Sequence, residues 1–498
     1  SRDLPVWSHQ AKDGTYTPLM VDAHVGAMSF LPYRLAERIG GLLAARTLAW
    51  LGGLALLVVI WLLGNLFQGR AVAWLATLLA ASSPHFSLVH HWSRPDEQWS
   101  FALPALCILA IARHRQRGSA RWLITAGLMA GLAVAAKNTA VWTLVAIAIG
   151  MWWQNLWPRA RARAWLAALA AATVALLPEL AFVSVSADPG SFWVRVGNLP
   201  ALGDSLSADR LAFFLDHFLQ TFGGLGEFFE RLVTDRSSRP GSLSIVTGSA
   251  ALALTCVAAS SALSSRATPP EKAFGVGLVA LFLLYLTMYY VGMSLFILLT
   301  PWVPLAVAAG WVRGWRALSG LEHRQVRGLL RGAFVACLLL LIAGHAHQSV
   351  LLHQAFAKPR YGVFHLQTQQ ELADALVADG HREVWTTTYS IAGVPEQLSD
   401  NALRGRNVFP LIRHHCGQPT GYAKAWRELL ARWPPGRHVV LMSPRPSEVD
   451  TSPCEHAEQI ATTFEAAVRE WNLQLGDRRE YTGPGGTVLY TTAVIEVR

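Results

Sequence analysis

Ten apolar segments follow one another at roughly 43–67, 71–91, 98–113, 121–137, 139–157, 164–186, 242–265, 272–289, 293–313 and 328–347. About 20 apolar residues cross a bilayer as a helix. A chain with this many such runs is an α-helical polytopic membrane protein before anything else is read from it. The third run is short and carries Pro104, and the fourth and fifth part only at Lys137-Asn138. Composition agrees: 52% of residues are hydrophobic and 15% charged, against about 25% charged in an average soluble domain.

The net charge of +10 would point to nucleic acid in a soluble chain. Here the cations sit in short loops between spans, with no base-stacking platform or DNA-reading motif, so no nucleic-acid partner is expected. Arg113, Arg115, Arg117 and Arg121 join segments three and four; Arg159, Arg161 and Arg163 join five and six; Arg313, Arg316, Arg324, Arg327 and Arg331 join nine and ten. Arg70 and the Arg266/Lys272 pair fall in loops of the same parity. The positive-inside rule puts all five loops in the cytoplasm. Residues 1–40, the 90–98 loop, the Lys137 turn, 187–241 and everything after about 348 then lie outside. Residue 1 on the outside without a signal peptide implies one more helix upstream of Ser1, eleven in the intact protein.

Three regions follow. Residues 1–40 form an extracytoplasmic first loop whose stretch from Val25 to Ile39 is amphipathic and suited to the membrane surface. Residues 41–347 form the transmembrane domain, including an extracytoplasmic interfacial loop at 187–241 with one or two amphipathic helices in 205–235. Residues 355–498 form a soluble α/β domain. Its expected helices are Leu372–Asp379, Trp426–Arg432 and Cys454–Trp471, and its expected strands Glu383–Thr388, His438–Met442, Val488–Thr491 and Val494–Val497. Cys107, Cys256 and Cys337 lie in apolar runs as small core residues. Cys416 and Cys454 are a disulfide candidate if their domain is extracytoplasmic. No zinc-ligand spacing, Walker loop, HExxH, GxGxxG or nucleophile elbow is present, so nucleotide hydrolysis and redox-cofactor chemistry have no support.

Ionisable groups at membrane depth are costly and are candidates for function. Asp22 and His24 stand two residues apart before the amphipathic stretch. A carboxylate there can take a proton from an acceptor, hold a divalent cation, or cap a helix. The short loop at residues 90–97 gathers His90, His91, Arg94, Asp96 and Glu97. Arg94 can hold a phosphate bidentately with Asp96 orienting it, or the loop is a self-neutralised ion-pair turn. Lys137 ends an apolar helix, where it either snorkels or neutralises a lipid phosphate. Glu179, late in a span beside Pro178, is expected to pair with a neighbouring cation.

At these residues the chain resembles the GT-C polyprenyl-phosphate-sugar-dependent glycosyltransferases, in the protein mannosyltransferase/aminoarabinose transferase branch. Asp22-Ala-His-Val-Gly26 resembles the end of that family's large first loop. Ala81-Ser-Ser-Pro84 leading to Ser93-Arg-Pro-Asp96 resembles its third span and second outer loop. The run from Gly127 to Ala140, with Lys137 near its end, and the run from Leu295 to Gly310 resemble two later helices. The likeness spans roughly residues 20–315. It implies a bacterial inner-membrane enzyme with a periplasmic or extracellular C-terminal domain. It also implies inverting transfer from a polyprenyl-phosphate sugar to a lipid, glycan or protein acceptor. Asp22 and Asp96 take the catalytic places, and His24, His91, Arg94, Glu97 and Lys137 those that bind substrate. Two departures stand out. The family's principal acidic pair would fall at or before Ser1, and Ser294-Leu295 replaces a common Arg-Tyr. They keep open a second reading, a non-catalytic GT-C-like scaffold or accessory subunit of a larger membrane complex.

Overall fold

The computed structural model describes residues 20–22, 25–26, 31–84, 86, 95–185, 207–223, 242–262, 264, 267–287, 299, 301–357, 366–386, 399, 402–407, 421–431, 433, 435–442, 457–482 and 488–497. The chain divides into two compact units, which part between Leu351 and Leu352.

The first unit opens with a two-stranded hairpin, β1 (Met20–Asp22) and β2 (Val25–Gly26), in which Asp22 pairs with Val25. Eleven helices follow among the described residues: α1 (Leu31–Phe67), α2 (Arg70–Ser82), α3 (Pro95–Arg117), α4 (Ala120–Ala136), α5 (Ala140–Trp153), α6 (Ala162–Val185), α7 (Ala208–Gly223), α8 (Ser242–Ala262), α9 (Pro269–Thr287), α10 (Trp302–Ser319) and α11 (Arg324–Ala357). Each of the ten apolar segments coincides with one of them. Leu43–Phe67, Ala162–Ala181, Pro269–Leu286 and Arg324–Leu351 are long and apolar enough to cross a membrane. Shorter apolar helices occupy Arg70–Ser82, Ala120–Ala136, Ala140–Trp153 and Ile245–Ser260. Leu166, Leu169, Val174, Trp152 and Leu329 point outward from this unit, as lipid-facing side chains do.

Small residues set how the helices meet. A Cβ on Gly127 would lie 2.1 Å from the Ala168 carbonyl oxygen, and one on Gly131 2.4 Å from that of Ala172. This register makes α4 and α6 run parallel. Gly150 meets Ala273, and Gly277 meets Ala146, so α5 and α9 run antiparallel. Gly310 lets α10 close on the Leu254 carbonyl of α8. In lipid no hydrophobic effect drives helices together, so close backbone approach carries the packing.

α1 is two helices joined at Gly40-Gly41, where Gly41 adopts φ 66°, a conformation that costs glycine little and other residues more. Leu35 and Ile39, ahead of the break, are exposed, and Tyr33 is buried. α7 does more than rest on a surface. Its Phe214, Phe218 and Phe222 are buried, two of them against Phe282 of α9. His345 of α11 ties it further, contacting the Phe222 carbonyl at 3.2 Å and the Ser82 hydroxyl of α2 at 3.3 Å. At the arginine-rich end, Arg313 donates to Gln68 at 2.5 Å and pairs with Glu271 at 3.1 Å, joining α10 to α1 and α9.

The second unit is a five-stranded mixed sheet in the order β4-β3-β5-β7-β6. Its strands are β3 (Glu383–Thr386), β4 (Arg404–Asn407), β5 (Gly436–Met442), β6 (Gln474–Thr482) and β7 (Val488–Val497). β4, β3 and β5 are parallel; β7 is antiparallel to β5 and β6. Helices α13 (Gly421–Leu430) and α14 (Ala457–Glu470) cover one face over Trp426, Phe464, Val440 and Ile495. Among the described residues, helix α12 (Leu366–Ala378) covers the other, with Leu372 and Leu376 against Val439 and Tyr490. The three expected helices and the strands at 383 and 438 are present. The expected strands at 488 and 494 are one continuous strand, because Thr491, Thr492 and Ala493 keep its in-out alternation and are buried. β6 had no expected counterpart: its sequence, Gln474-Leu-Gly-Asp-Arg-Arg-Glu-Tyr-Thr482, is charged and almost wholly exposed. Those charges suit a sheet edge, where they discourage pairing with other chains. Cys107, Cys256 and Cys337 are free thiols; Cys416 and Cys454 lie outside the described residues.

Tyr490 gives this unit an alkaline limit. Burial pushes its phenol up to about 12, opposed in part by a hydrogen bond with Gln369, whose amide donates to the hydroxyl at 2.7 Å. The stabilisation is complete below pH 10, where the phenol is neutral folded or unfolded, and is lost as pH rises towards 12. About 2–3 kcal/mol is expected to disappear across that window. The difference in tyrosinate absorbance between wild type and Tyr490→Phe should titrate at its upper end. A difference curve centred at the ordinary tyrosine value would refute this.

Candidate functional site

The helices α3 and α4 form an antiparallel pair whose short connection, Gly118-Ser119, lies among the arginines. Cys107 and Ala110 pack on Ala126, and Leu103 on Ala133 and Ala136. Carried one turn further, this register sets Trp99 and Ser100 beside Lys137, at the end remote from the arginine loops. Asp96 and Glu97 occupy the first turn of α3, one turn beyond Ser100. β2 packs against α4, so the hairpin carrying Asp22 belongs to the same helix pair. The backbones of Asp22, Asp96, Glu97 and Lys137, distant in sequence, are thus gathered on one helix pair. His24, His91 and Arg94 lie outside the described residues.

Lys137 is only 2% exposed. Its backbone leaves the helix in an extended conformation (φ −155°, ψ 116°) while its N–H still donates to the Ala133 carbonyl at 3.1 Å. Burial of the whole residue disagrees with the snorkelling alternative, in which the ammonium would reach the surface. Asn138 and Thr139 follow, equally buried. A buried ammonium beside amide and hydroxyl groups, at the end of an apolar helix, is suited to hold an anionic group.

Gln98 fixes the start of α3. Its amide donates to the Ala49 carbonyl at 3.0 Å, and its side-chain oxygen accepts from the Tyr33 hydroxyl. Tyr33 precedes the Gly40-Gly41 break and Ala49 follows it, so one glutamine holds both halves of α1. Gly52 makes room, since a Cβ there would lie 3.0 Å from the Gln98 oxygen.

Further polar groups lie deeper. The Tyr285 hydroxyl is fully buried beside that of Thr143, without a hydrogen bond of normal geometry. Neither residue was singled out in the sequence. The signal that could have found them is the Gly150 and Gly277 register of α5 and α9. Glu179 differs from its expectation. It is 1% exposed, and neither carboxylate oxygen has a hydrogen-bond partner. Ala168, Ala172 and Ala175 place it on the face of α6 that meets α4, at about the depth of Lys137, yet among the described residues no ion pair forms. The arginines of α6, Arg161 and Arg163, stand at the other end of the helix. Unsatisfied buried carboxylates cost stability. Glu179→Met is therefore expected to raise the stability of the purified chain by about 1–3 kcal/mol, read as a higher melting temperature. A lower one would show that the carboxylate has a stabilising partner. Among the described residues, no three His, Cys, Asp or Glu side chains are grouped to hold a metal ion.

A sequence profile of the dolichyl-phosphate-mannose-protein mannosyltransferases matches residues 33–183, which include α1 to α6 and Lys137. The solved oligosaccharyltransferase AglB of Archaeoglobus fulgidus, in complex with an inhibitory peptide and a dolichol-phosphate, superposes with a TM-score of 0.50 at 12% identity. That match covers 88% of this chain and 63% of AglB. The chain shares the fold of that enzyme, and its residues 33–183 match the mannosyltransferase family. ArnT of Cupriavidus metallidurans, bound to undecaprenyl phosphate, matches 95% of this chain and 88% of its own, with a TM-score of 0.49 and 12% identity. No curated protein is significantly similar in sequence. The segment matched by the mannosyltransferase profile includes Asp96 and Lys137.

Proposed function

We propose that this chain is a GT-C glycosyltransferase that moves a sugar from a polyprenyl-phosphate donor to an acceptor at the end of the helical unit remote from the arginine loops. The observation that carries the reading is the gathering of Asp22, Asp96 and buried Lys137 on the α3–α4 pair. The dolichol-phosphate held by AglB, a chain of the same fold, supports it. In the reaction, an acceptor oxygen bonds to the anomeric carbon as the bond from that carbon to the phosphate oxygen breaks. The departing electron pair goes to the lipid phosphate, neutralised by Lys137 with Arg94 and His91. The acceptor proton goes to a carboxylate, Asp22 or Asp96, and His24 and Glu97 contact the substrate. The loop arginines favour an orientation with this end and residues after about 348 on the extracytoplasmic side, which the family resemblance would make the periplasmic side of a bacterial inner membrane.

The test is transfer from radiolabelled polyprenyl-phosphate sugars in membranes carrying wild type, Asp22→Asn or Asp96→Asn. Both variants are expected to lose most activity. Undiminished transfer in both would sink the site assignment. Absence of transfer by the wild type from every donor would favour the scaffold or accessory-subunit reading.

A further inference from the structure

Among the described residues, α12 is the helix on one face of the C-terminal sheet; it packs over β3 and β5 and reaches Tyr490 and Val494 of β7 and Tyr481 of β6. Past its end at Ala378 lies a cavity of about 220 Å³. Strand pairing builds its wall: Arg479 stands opposite Thr492, and alternation puts Asp477 and Tyr481 on the same face. The other face is engaged elsewhere, with Arg478 bound to Glu465 of α14 at 3.0 Å. Arg437, at the start of β5, and His381, just after α12, complete the rim.

The charges in this cavity balance. Asp379 and Asp477 offset Arg437 and Arg479, and Asp379 holds Arg479 in place at 2.7 Å. His381 is held below the ordinary histidine range by burial, and the two arginines push in the same direction against Asp379. It is therefore neutral at pH 7, with one ring nitrogen donating and one accepting. A net-neutral cavity with fixed donors, fixed acceptors and an aromatic side chain is poorly matched to a phosphate or an amine. It matches a ligand whose own groups both donate and accept, namely a ring of hydroxyls.

We propose that this cavity of the C-terminal unit is a saccharide-binding site that takes one ring of a neutral glycan. The ligand class draws on the sugar-transfer reading, but the binding is separate from transfer and is measured without it.

The full chain in lipid nanodiscs, free of glycoside detergents, would be titrated calorimetrically with methyl glycosides of mannose, glucose, galactose and arabinose. Inorganic phosphate would be the ionic probe. At least one glycoside is expected to bind, and Asp477→Asn and Arg437→Gln should each weaken it about tenfold. Arg478→Gln, on the opposite face of the same strand, should leave it unchanged. All three residues are exposed, and unaltered melting would verify folding. No binding of any glycoside, binding insensitive to both cavity variants, or Arg437-dependent binding of phosphate instead would overturn the proposal. Transfer assayed in parallel separates the two readings. Glycoside binding by a chain inactive with every donor would keep the cavity and sink the transferase; transfer without glycoside binding would do the reverse.

Discussion

Lys137→Met will lower sugar transfer about a hundredfold to a thousandfold, with the helical unit still folded. The range is that of a single preorganised group aimed at developing charge in a site shielded from water. Lys137 meets the structural conditions for such a group, being buried, at the end of an apolar helix and set beside the first turn of α3. Methionine keeps much of the side-chain length and none of the charge. Arginine is expected to rescue only in part, because its planar fork presents its donors differently from a compact ammonium. The measurement is single-turnover transfer in membranes, so that chemistry is separated from product release. Loss confined to KM would assign Lys137 to uniform binding of the donor rather than to stabilising the departing phosphate.

Gly131→Leu is the second large effect, and it acts on the scaffold. A Cβ at this position would lie 2.4 Å from the Ala172 carbonyl oxygen and 2.8 Å from the Ala175 Cβ. Backbone atoms cannot turn aside as a flexible side chain can, so α4 and α6 must separate. A cost of about 3 kcal/mol or more is expected, seen as a lower melting temperature in size-exclusion measurements of the solubilised chain. Gly328→Leu is the control: nothing lies within 4 Å of a Cβ there, and it should melt like wild type. Because Lys137 rides on α4, Gly131→Leu should also abolish transfer while leaving every candidate site residue intact. Equal melting of the two variants would refute the close packing of α4 and α6.

The helices were legible in the sequence because an apolar run of sufficient length has few alternatives to a helix in lipid. Asp22, Asp96 and Lys137 stood out for a related reason, since charge next to such runs is expensive. What could not be read was anything that depends on register between elements far apart in the chain. Nothing near Gln98 announces a bond to Ala49 and Tyr33, and Tyr285 meets Thr143 only through the register of α5 on α9. Glu179 was read as half of an ion pair because a carboxylate at that depth ordinarily needs one. The facing stretch of α4 offers alanines, and the one lysine at that depth does not reach it. β6 was hidden by the charges that fit it to an edge. The cavity past the end of α12 likewise requires the topology, since its lining joins β5, β6 and β7 with the end of α12.

The Gly40-Gly41 break makes the first nine residues of α1 a lever arm. At 1.5 Å per residue it is about 13 Å long, and it carries the chain towards the hairpin that bears Asp22. A rotation of about ten degrees at the fulcrum would move its tip by about 2 Å, well beyond the tolerance of a near-attack geometry. Gln98 bridges that fulcrum from the turn of α3 that bears Asp96. The two carboxylates most exposed to misalignment are therefore geared through one amide. A glutamate in its place would keep the acceptor for the Tyr33 hydroxyl, and with it the hold on the arm, and would lose the donor to Ala49 beyond the break.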